Sequence, residues 1–247
     1  MCATCGCAGT GARVHDHAHD HVQELPPGDA RTIALQAKVL AKNDDLAAGN
    51  RAWLAGRGAT MLNLMSSPGA GKTTLLERTA QDMAGQAGRP GLAVIEGDQE
   101  TALDADRIRA AGCRVVQINT GAGCHLDADM VRRGLAALDP PAGSVVMVEN
   151  VGNLVCPALF DLGEAARVVL ASVTEGADKP MKYPAMFRRA DLILVTKSDL
   201  LPHLRFDLDA FLADLTLVSP AARVLTLSAE TGEGLGQWYD WLAATAA

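Results

Sequence analysis

Met61-Leu-Asn-Leu-Met65 runs directly into Ser66-Ser67-Pro68-Gly69-Ala70-Gly71-Lys72-Thr73-Thr74, and the reading of this stretch decides the fold. A short apolar strand ends in small residues, and Lys-Thr then opens a helical stretch. That is a P-loop, with Ser66 where the motif normally begins with glycine. Small residues let successive backbone N–H groups of Pro68-Gly69-Ala70-Gly71-Lys72-Thr73-Thr74 curl around phosphate oxygens, proline alone lacking one. The following helix points its positive end at the same charge. Lys72 is expected to reach the β- and γ-phosphates, and Thr73 to place its hydroxyl on Mg2+. A glycine-rich turn that merely joins strand to helix would need neither the lysine nor the threonine.

Outward from the loop, short apolar runs alternate with helical stretches. Candidate strands fall at 60–65, 91–96, 114–118, 144–149, 167–173, 191–196 and 223–228. Candidate helices lie near 71–86, 103–111, 126–138, 181–189, 207–215 and 233–245. This order predicts an α/β P-loop NTPase fold with a mostly parallel sheet of about seven strands and helices on both faces. Ligands in such sheets bind at the carboxyl ends of the strands. Three segments are expected: a flexible Cys/His-rich metal-binding tail over 1–29, a helical segment over 30–57, and the P-loop domain over 58–247. The tail lacks large aliphatics and ends in Leu25-Pro-Pro-Gly28. Asp29 or Thr32 is placed to cap the helix, which runs to about Trp53.

Composition excludes several classes. The 247 residues carry a formal net charge of −7, so no broad cationic field invites nucleic acid or anionic lipid. Charged residues are 21% of the chain and apolar ones 49%, which argues against wholesale disorder. No apolar run reaches the roughly 18 residues of a membrane span. The amino-terminal residues lack a secretory pattern, so a cytoplasmic location is expected.

Base choice is written at Leu192-Ile-Leu-Val-Thr196-Lys197-Ser198-Asp199, a Thr-Lys-x-Asp where many GTPases carry Asn-Lys-x-Asp. Asp199 would accept from guanine N1–H and the 2-amino group, whereas adenine would face it with an acceptor. Lys197 would lay its stem over the base, and Ser228-Ala229 would turn a backbone N–H to the guanine carbonyl. Val145-Val-Met-Val-Glu149-Asn-Val-Gly152 reads as a strand running into an acid-x-x-Gly switch. Gly152 would donate its N–H to the γ-phosphate, and Glu149 would reach Mg2+ through water. Asp98 is a second candidate on the Mg2+ side, with helix capping as its alternative role. No glutamine stands where a water-orienting residue is expected, which predicts slow intrinsic hydrolysis.

Two clusters of soft donors complete the inventory. Cys2-Ala-Thr-Cys5-Gly-Cys7 offers three thiolates within six residues, and the amine of Met1 is near enough to be a fourth donor. Four such donors suit Zn2+ in a tetrahedral site or Ni2+ in a square-planar one. His15-Asp-His17-Ala-His19-Asp-His21 reads either as a loose metal buffer or as solvated linker. Cys124-His125 follows a glycine-rich turn, and Cys156 lies seven residues after Glu149. Three donors are too few for a closed site, so a two-fold partner supplying its own set is attractive. Cys113 lacks neighbours of this kind and reads as core.

With these motifs in this order the sequence resembles the HypB family, SIMIBI-class P-loop GTPases of [NiFe]-hydrogenase maturation. The resemblance rests on Cys2-x-x-Cys5-Gly-Cys7, the Ser-Pro-Gly-Ala-Gly-Lys-Thr loop, Cys124-His125-Leu-Asp, Glu149-Asn-Val-Gly-Asn153 with Cys156, and Lys197-x-Asp199. It implies a tight nickel site at Cys2, Cys5 and Cys7, and a weaker nickel or zinc site at Cys124, His125 and Cys156. It also implies a GTP-favoured homodimer, with a HypA-type chaperone and the hydrogenase large-subunit precursor as partners. A UreG-like urease GTPase and a P-loop small-molecule kinase are the alternatives.

Overall fold

The computed structural model describes residues 30–84, 91–98, 103–121 and 123–246; side chains are described from residue 37 onward. The chain runs α1 (Ala30–Ala55), β1 (Thr60–Ser66), α2 (Lys72–Met83), β2 (Leu92–Asp98), α3 (Leu103–Ala110), β3 (Arg114–Asn119), α4 (Ala128–Leu138), β4 (Val145–Glu149) and β5 (Ala166–Ser172). It continues through α5 (Lys179–Lys182), α6 (Pro184–Arg188), β6 (Leu192–Thr196), α7 (Leu208–Val218), β7 (Arg223–Thr226) and α8 (Leu235–Ala246). The seven strands form one sheet in the order β3-β2-β4-β1-β5-β6-β7. Every recorded pairing is parallel.

Strand alternation explains how one sheet carries two cores. Leu62 and Leu64 of β1, with Val94, Met147, Val168 and Leu194, face the helices α2, α3 and α8. Their neighbours Met61, Ile95, Val146 and Val148 face α1 and α4, while Met65, Val169, Ile193 and Val195 face α6 and α7. Both faces are therefore apolar, which is why the central strands read as continuous hydrophobic runs. Trp238 of α8 is fully buried and donates its indole N–H to Thr79 of α2 at 3.0 Å.

The order reverses direction around β1, with β4 on one side and β5 on the other. The P-loop therefore emerges at the crevice where such sheets bind ligands. Strand positions agree with expectation to within about two residues, a normal margin for element ends. The expected helix over 181–189 is divided at Tyr183-Pro184, where proline starts a new helix rather than continuing the old one. Among the described residues no helix is long and apolar enough to cross a membrane.

Helix α1 attaches by an unusual stripe. Among its described side chains, Asn43, Ala47, Asn50 and Leu54 are buried, spaced for one helical face. Asn50 donates to the carbonyls of Ala128 and Leu162 at 2.9 Å each. Asn43 accepts from the Ala128 N–H at 2.9 Å and donates to the Asp161 carbonyl at 2.8 Å. Gly163 takes φ +90°, and a Cβ there would sit 2.5 Å from the Ala47 carbonyl oxygen. Gly163→Ala should thus combine backbone strain with a clash against α1, lowering stability by about 2–4 kcal/mol in urea unfolding. A midpoint within experimental error of the wild type would show that α1 is not held against this loop.

Candidate functional site

Two adjoining cavities open at the carboxyl ends of the strands. The first, about 490 Å3, is lined by Pro68, Gly69, Gly71, Lys72, Thr73 and Thr74 of the loop, by Asp98, Glu149 and Gly152, and by Lys197. The second, about 300 Å3, is lined by Ala70, Gly71, Thr74, Lys197, Asp199, Ser228 and Ala229, with Leu200 and Leu227 adding apolar walls. Gly71, Thr74 and Lys197 belong to both. The residues read from sequence as nucleotide-binding thus line a larger polar chamber and a smaller, more apolar slot beside it.

Loop geometry follows from residue type. Gly69 and Gly71 sit at φ +75° and +95°, where an L side chain is strained. Thr196 donates to the Ala70 carbonyl at 2.7 Å and Lys197 to the Gly69 carbonyl at 2.8 Å, so the end of β6 braces the P-loop from behind. Lys197 itself adopts φ 60°. The threonine hydroxyl therefore provides a brace at the position that Asn occupies in the common motif.

Electrostatics mark the first cavity. Lys72 is buried, and its ammonium donates to Ser66 Oγ at 2.8 Å. Burial lowers its pKa, against the pull of Glu149 and three other carboxylates. Thr73 Oγ1 donates to Glu149 Oε1 at 2.8 Å, tying the loop to the end of β4. Ser67 donates to Glu175, so the loop is held by a carboxylate on its other side too. Glu149 is pushed up to about 7, mainly by burial. Glu96 stands opposite Glu149 in the β2–β4 register and is pushed up to about 8 by burial and then by Glu149. Among the described residues, one carboxylate oxygen of each glutamate is buried without a hydrogen-bond partner.

That donor set fits Mg2+. Hard oxygens from Thr73, Glu149 and Glu96 converge on one cavity, Asp98 lines it, and two buried oxygens are left wanting a cation or a proton. Glu96 was missed from sequence, although its signal was there: an acid two residues before Asp98, on the strand face that Glu149 shares. Asp104, Arg107 and Asn150 also line the cavity and were not singled out.

Gly152 lies against the loop. A Cβ there would come within 2.9 Å of Pro68 Cα, so only glycine permits the contact. Further along the same segment, a 3-10 turn begins at Cys156 (Cys156–Leu159). Ligand atoms of Cys124, His125 and Cys156 all lie within 4.8 Å of one another. Cys156 is 2% exposed, and the His125 ring stacks on Phe160 with centroids 4.0 Å apart. Burial lowers the His125 pKa, which keeps the imidazole neutral and able to ligate. Cys113 is core as expected: burial pushes its thiol up to about 11, and Sγ bonds the Leu92 carbonyl at 3.2 Å. Cys2, Cys5, Cys7 and the His15–His21 tract lie outside the described residues.

Fold and site together define a nucleotide-binding P-loop protein. Residues 60–226 match the model of a family described as the CobW/HypB/UreG nucleotide-binding domain. The hydrogenase maturation factor HypB of Azotobacter vinelandii is 55% identical over 213 residues, covering 86% of this chain and 69% of that protein. The crystal structure of HypB from Archaeoglobus fulgidus superposes with a TM-score of 0.76 at 37% identity, covering 84% of this chain and 100% of that one. The structure of HypB from Helicobacter pylori in complex with nickel gives 0.77 at 37% identity, covering 83% and 95%. The chain belongs to the CobW/HypB/UreG family, among the HypB hydrogenase maturation factors.

The raised carboxyls give a pH signature. A carboxyl whose pKa is higher in the folded state than unfolded stabilises the fold at low pH, and that contribution is lost as pH rises through the folded value. The nucleotide-free protein should therefore lose stability between about pH 5 and 8, by an amount on the order of a few kcal/mol. Glu96→Gln should flatten that slope in thermal or urea unfolding followed across pH. An unchanged slope would show that Glu96 does not titrate there.

Proposed function

We propose that this chain is a GTP-hydrolysing nickel chaperone of [NiFe]-hydrogenase maturation. The observation that carries the reading is continuity. A single segment of eight residues holds Glu149 at the phosphate cavity, Gly152 against the P-loop and Cys156 in the soft-donor cluster. The names of its relatives as hydrogenase maturation factors, and the nickel complex of one of them, support the same conclusion.

The chemistry follows from the residues. The P-loop N–H groups and Lys72 bind the triphosphate, and Asp199 selects guanine in the second slot. Thr73 and Glu149 would hold Mg2+, with Glu96 and Asp98 at hand; charge neutralisation on the β- and γ-oxygens is what the ion supplies when bound. Gly152, already beside Pro68, offers its N–H to the γ-phosphate. Occupancy by GTP would reset the 149–156 segment and, with it, Cys156. Hydrolysis would release the segment, as in GTPase switches. Ni2+ is the cargo. Two thiolates and a neutral imidazole suit Ni2+ or Zn2+, and a second protomer would complete the coordination. Cys2, Cys5 and Cys7 would form the tighter site, from which nickel passes with a HypA-type chaperone to the large-subunit precursor.

Asp199→Asn should weaken GTP binding by roughly 100-fold or more and admit xanthosine nucleotides, because the amide reverses one hydrogen-bond polarity. Unchanged GTP preference would overturn the base assignment. Nickel titration of the full chain tests the cargo sites. Cys5→Ala should remove the tight equivalent and leave GTP hydrolysis intact, and Cys156→Ala should remove the weaker one. Undiminished binding in both variants would overturn the nickel reading.

A further inference from the structure

Between the phosphate cavity and the soft-donor cluster stand two asparagines that neither site uses as a ligand. Asn150 follows Glu149, is 1% exposed, and lines the phosphate cavity. Its backbone N–H bonds the Leu64 carbonyl at 3.0 Å, fixing it to β1 just before the P-loop. Its side-chain oxygen accepts from the Val151 N–H at 3.0 Å and from the Leu126 N–H at 3.1 Å. Leu126 directly follows His125, so this one oxygen holds both the nucleotide segment and the metal loop. Its amide donates to Asn63 Oδ1 at 3.2 Å, which leaves little freedom to rotate.

Asn153 forms the second link. Its amide donates to the Cys124 carbonyl at 3.3 Å, and its oxygen accepts from the Val155 N–H at 2.8 Å. One end therefore grips the residue bearing a thiolate ligand. The other fixes the turn that delivers Cys156. Gly152 sits between the two asparagines, on Pro68. Displacement of this segment by a γ-phosphate cannot leave both amide contacts in place unless the 124–126 loop moves with it. Buried amide hydrogen bonds are costly to leave unmade, so the loop has reason to follow.

We infer that Asn150 and Asn153 are positioning residues that carry the nucleotide state to the Cys124–His125–Cys156 cluster by cross-linking the 149–156 segment to the 124–126 loop. This deepens the proposed function and rests on it. Both residues act through the ligands they hold, so deleting a cross-link should uncouple the sites rather than abolish either one.

The test uses the full chain carrying Cys2→Ser, Cys5→Ser and Cys7→Ser, so that nickel reports only the second cluster. Nickel affinity is measured by competition with a chromophoric chelator, once with GDP and once with a non-hydrolysable GTP analogue. The parent should show affinities that differ between the two states by about tenfold, within the usual range of coupling between sites. Asn153→Asp keeps the acceptor for Val155 and replaces the donor to Cys124; its ratio should fall toward one. Asn150→Ser, whose hydroxyl is too short to reach Leu126, should do the same. Asn153 is partly exposed, so its variant tests the inference even where the buried change prevents folding. A purely structural role would weaken nickel equally in both nucleotide states and keep the ratio. A coupled parent with coupled variants would overturn the assignment to these amides and leave the proposed function standing. A parent whose nickel affinity ignores the nucleotide would overturn both.

Discussion

One buried ammonium and two buried carboxylates, packed at the ends of neighbouring strands, set the terms for the rest of the structure. Lys72, Glu149 and Glu96 are each less than 10% exposed. Placing such groups together out of water is unfavourable unless each finds a partner. Among the described residues, Lys72 donates to a serine hydroxyl, and each glutamate keeps a buried oxygen without a hydrogen-bond partner. A nucleotide triphosphate with a divalent cation answers both deficits at once: anionic oxygens for the lysine, a cation for the carboxylates. The raised carboxyl pKa values express the same frustration in the protein alone, since protons then take the cation's place.

This arrangement requires the topology around it. Glu96 and Glu149 face each other because β2 and β4 are parallel neighbours in register. Lys72 reaches them because β1 lies on the other side of β4 and releases the P-loop at the same end. In an antiparallel sheet the charged ends would alternate between opposite edges. The soft-donor cluster uses the same edge: Cys124 and His125 lie between β3 and α4, and Cys156 follows β4. The soft-donor cluster and the cavity at the P-loop are thus brought near each other by strand direction. What the fold does not supply by itself is a connection between them, and the side chains of the 149–156 segment fill that place.

Much of this was legible in the residues. The continuous apolar runs announced strands buried on both faces, and the P-loop fixed where the sheet would bind its ligand. The adjacent Cys124 and His125 do meet Cys156, more than thirty positions further along the chain. Other features were hidden for identifiable reasons. Helix α1 was expected over 30–57, but its mode of attachment was hidden, because its buried face carries Asn43 and Asn50, whose burial makes sense only with the carbonyls they satisfy. Glu96 stood unremarked at the end of the expected strand 91–96, since its importance depends on which strand pairs beside it. Thr196 departs from the common motif, yet its hydroxyl finds the Ala70 carbonyl, a contact that only the packed loop reveals.

The polar stripe on α1 also bears on how the two sites are held. Asn43 and Asn50 both contact Ala128, the first residue of α4, and both reach the 161–162 turn beyond Cys156. Asp127 caps the same helix by accepting from Met130 N–H at 2.8 Å. The far ends of the two segments that carry the soft donors are therefore fixed to one rigid helix. Their near ends are joined through Asn150 and Asn153 beside the phosphate cavity. On the proposed reading, a segment anchored at one end and touched by the nucleotide at the other would pivot without coming loose. That division would let the sulfur positions change while both cores, on either face of the sheet, stay packed.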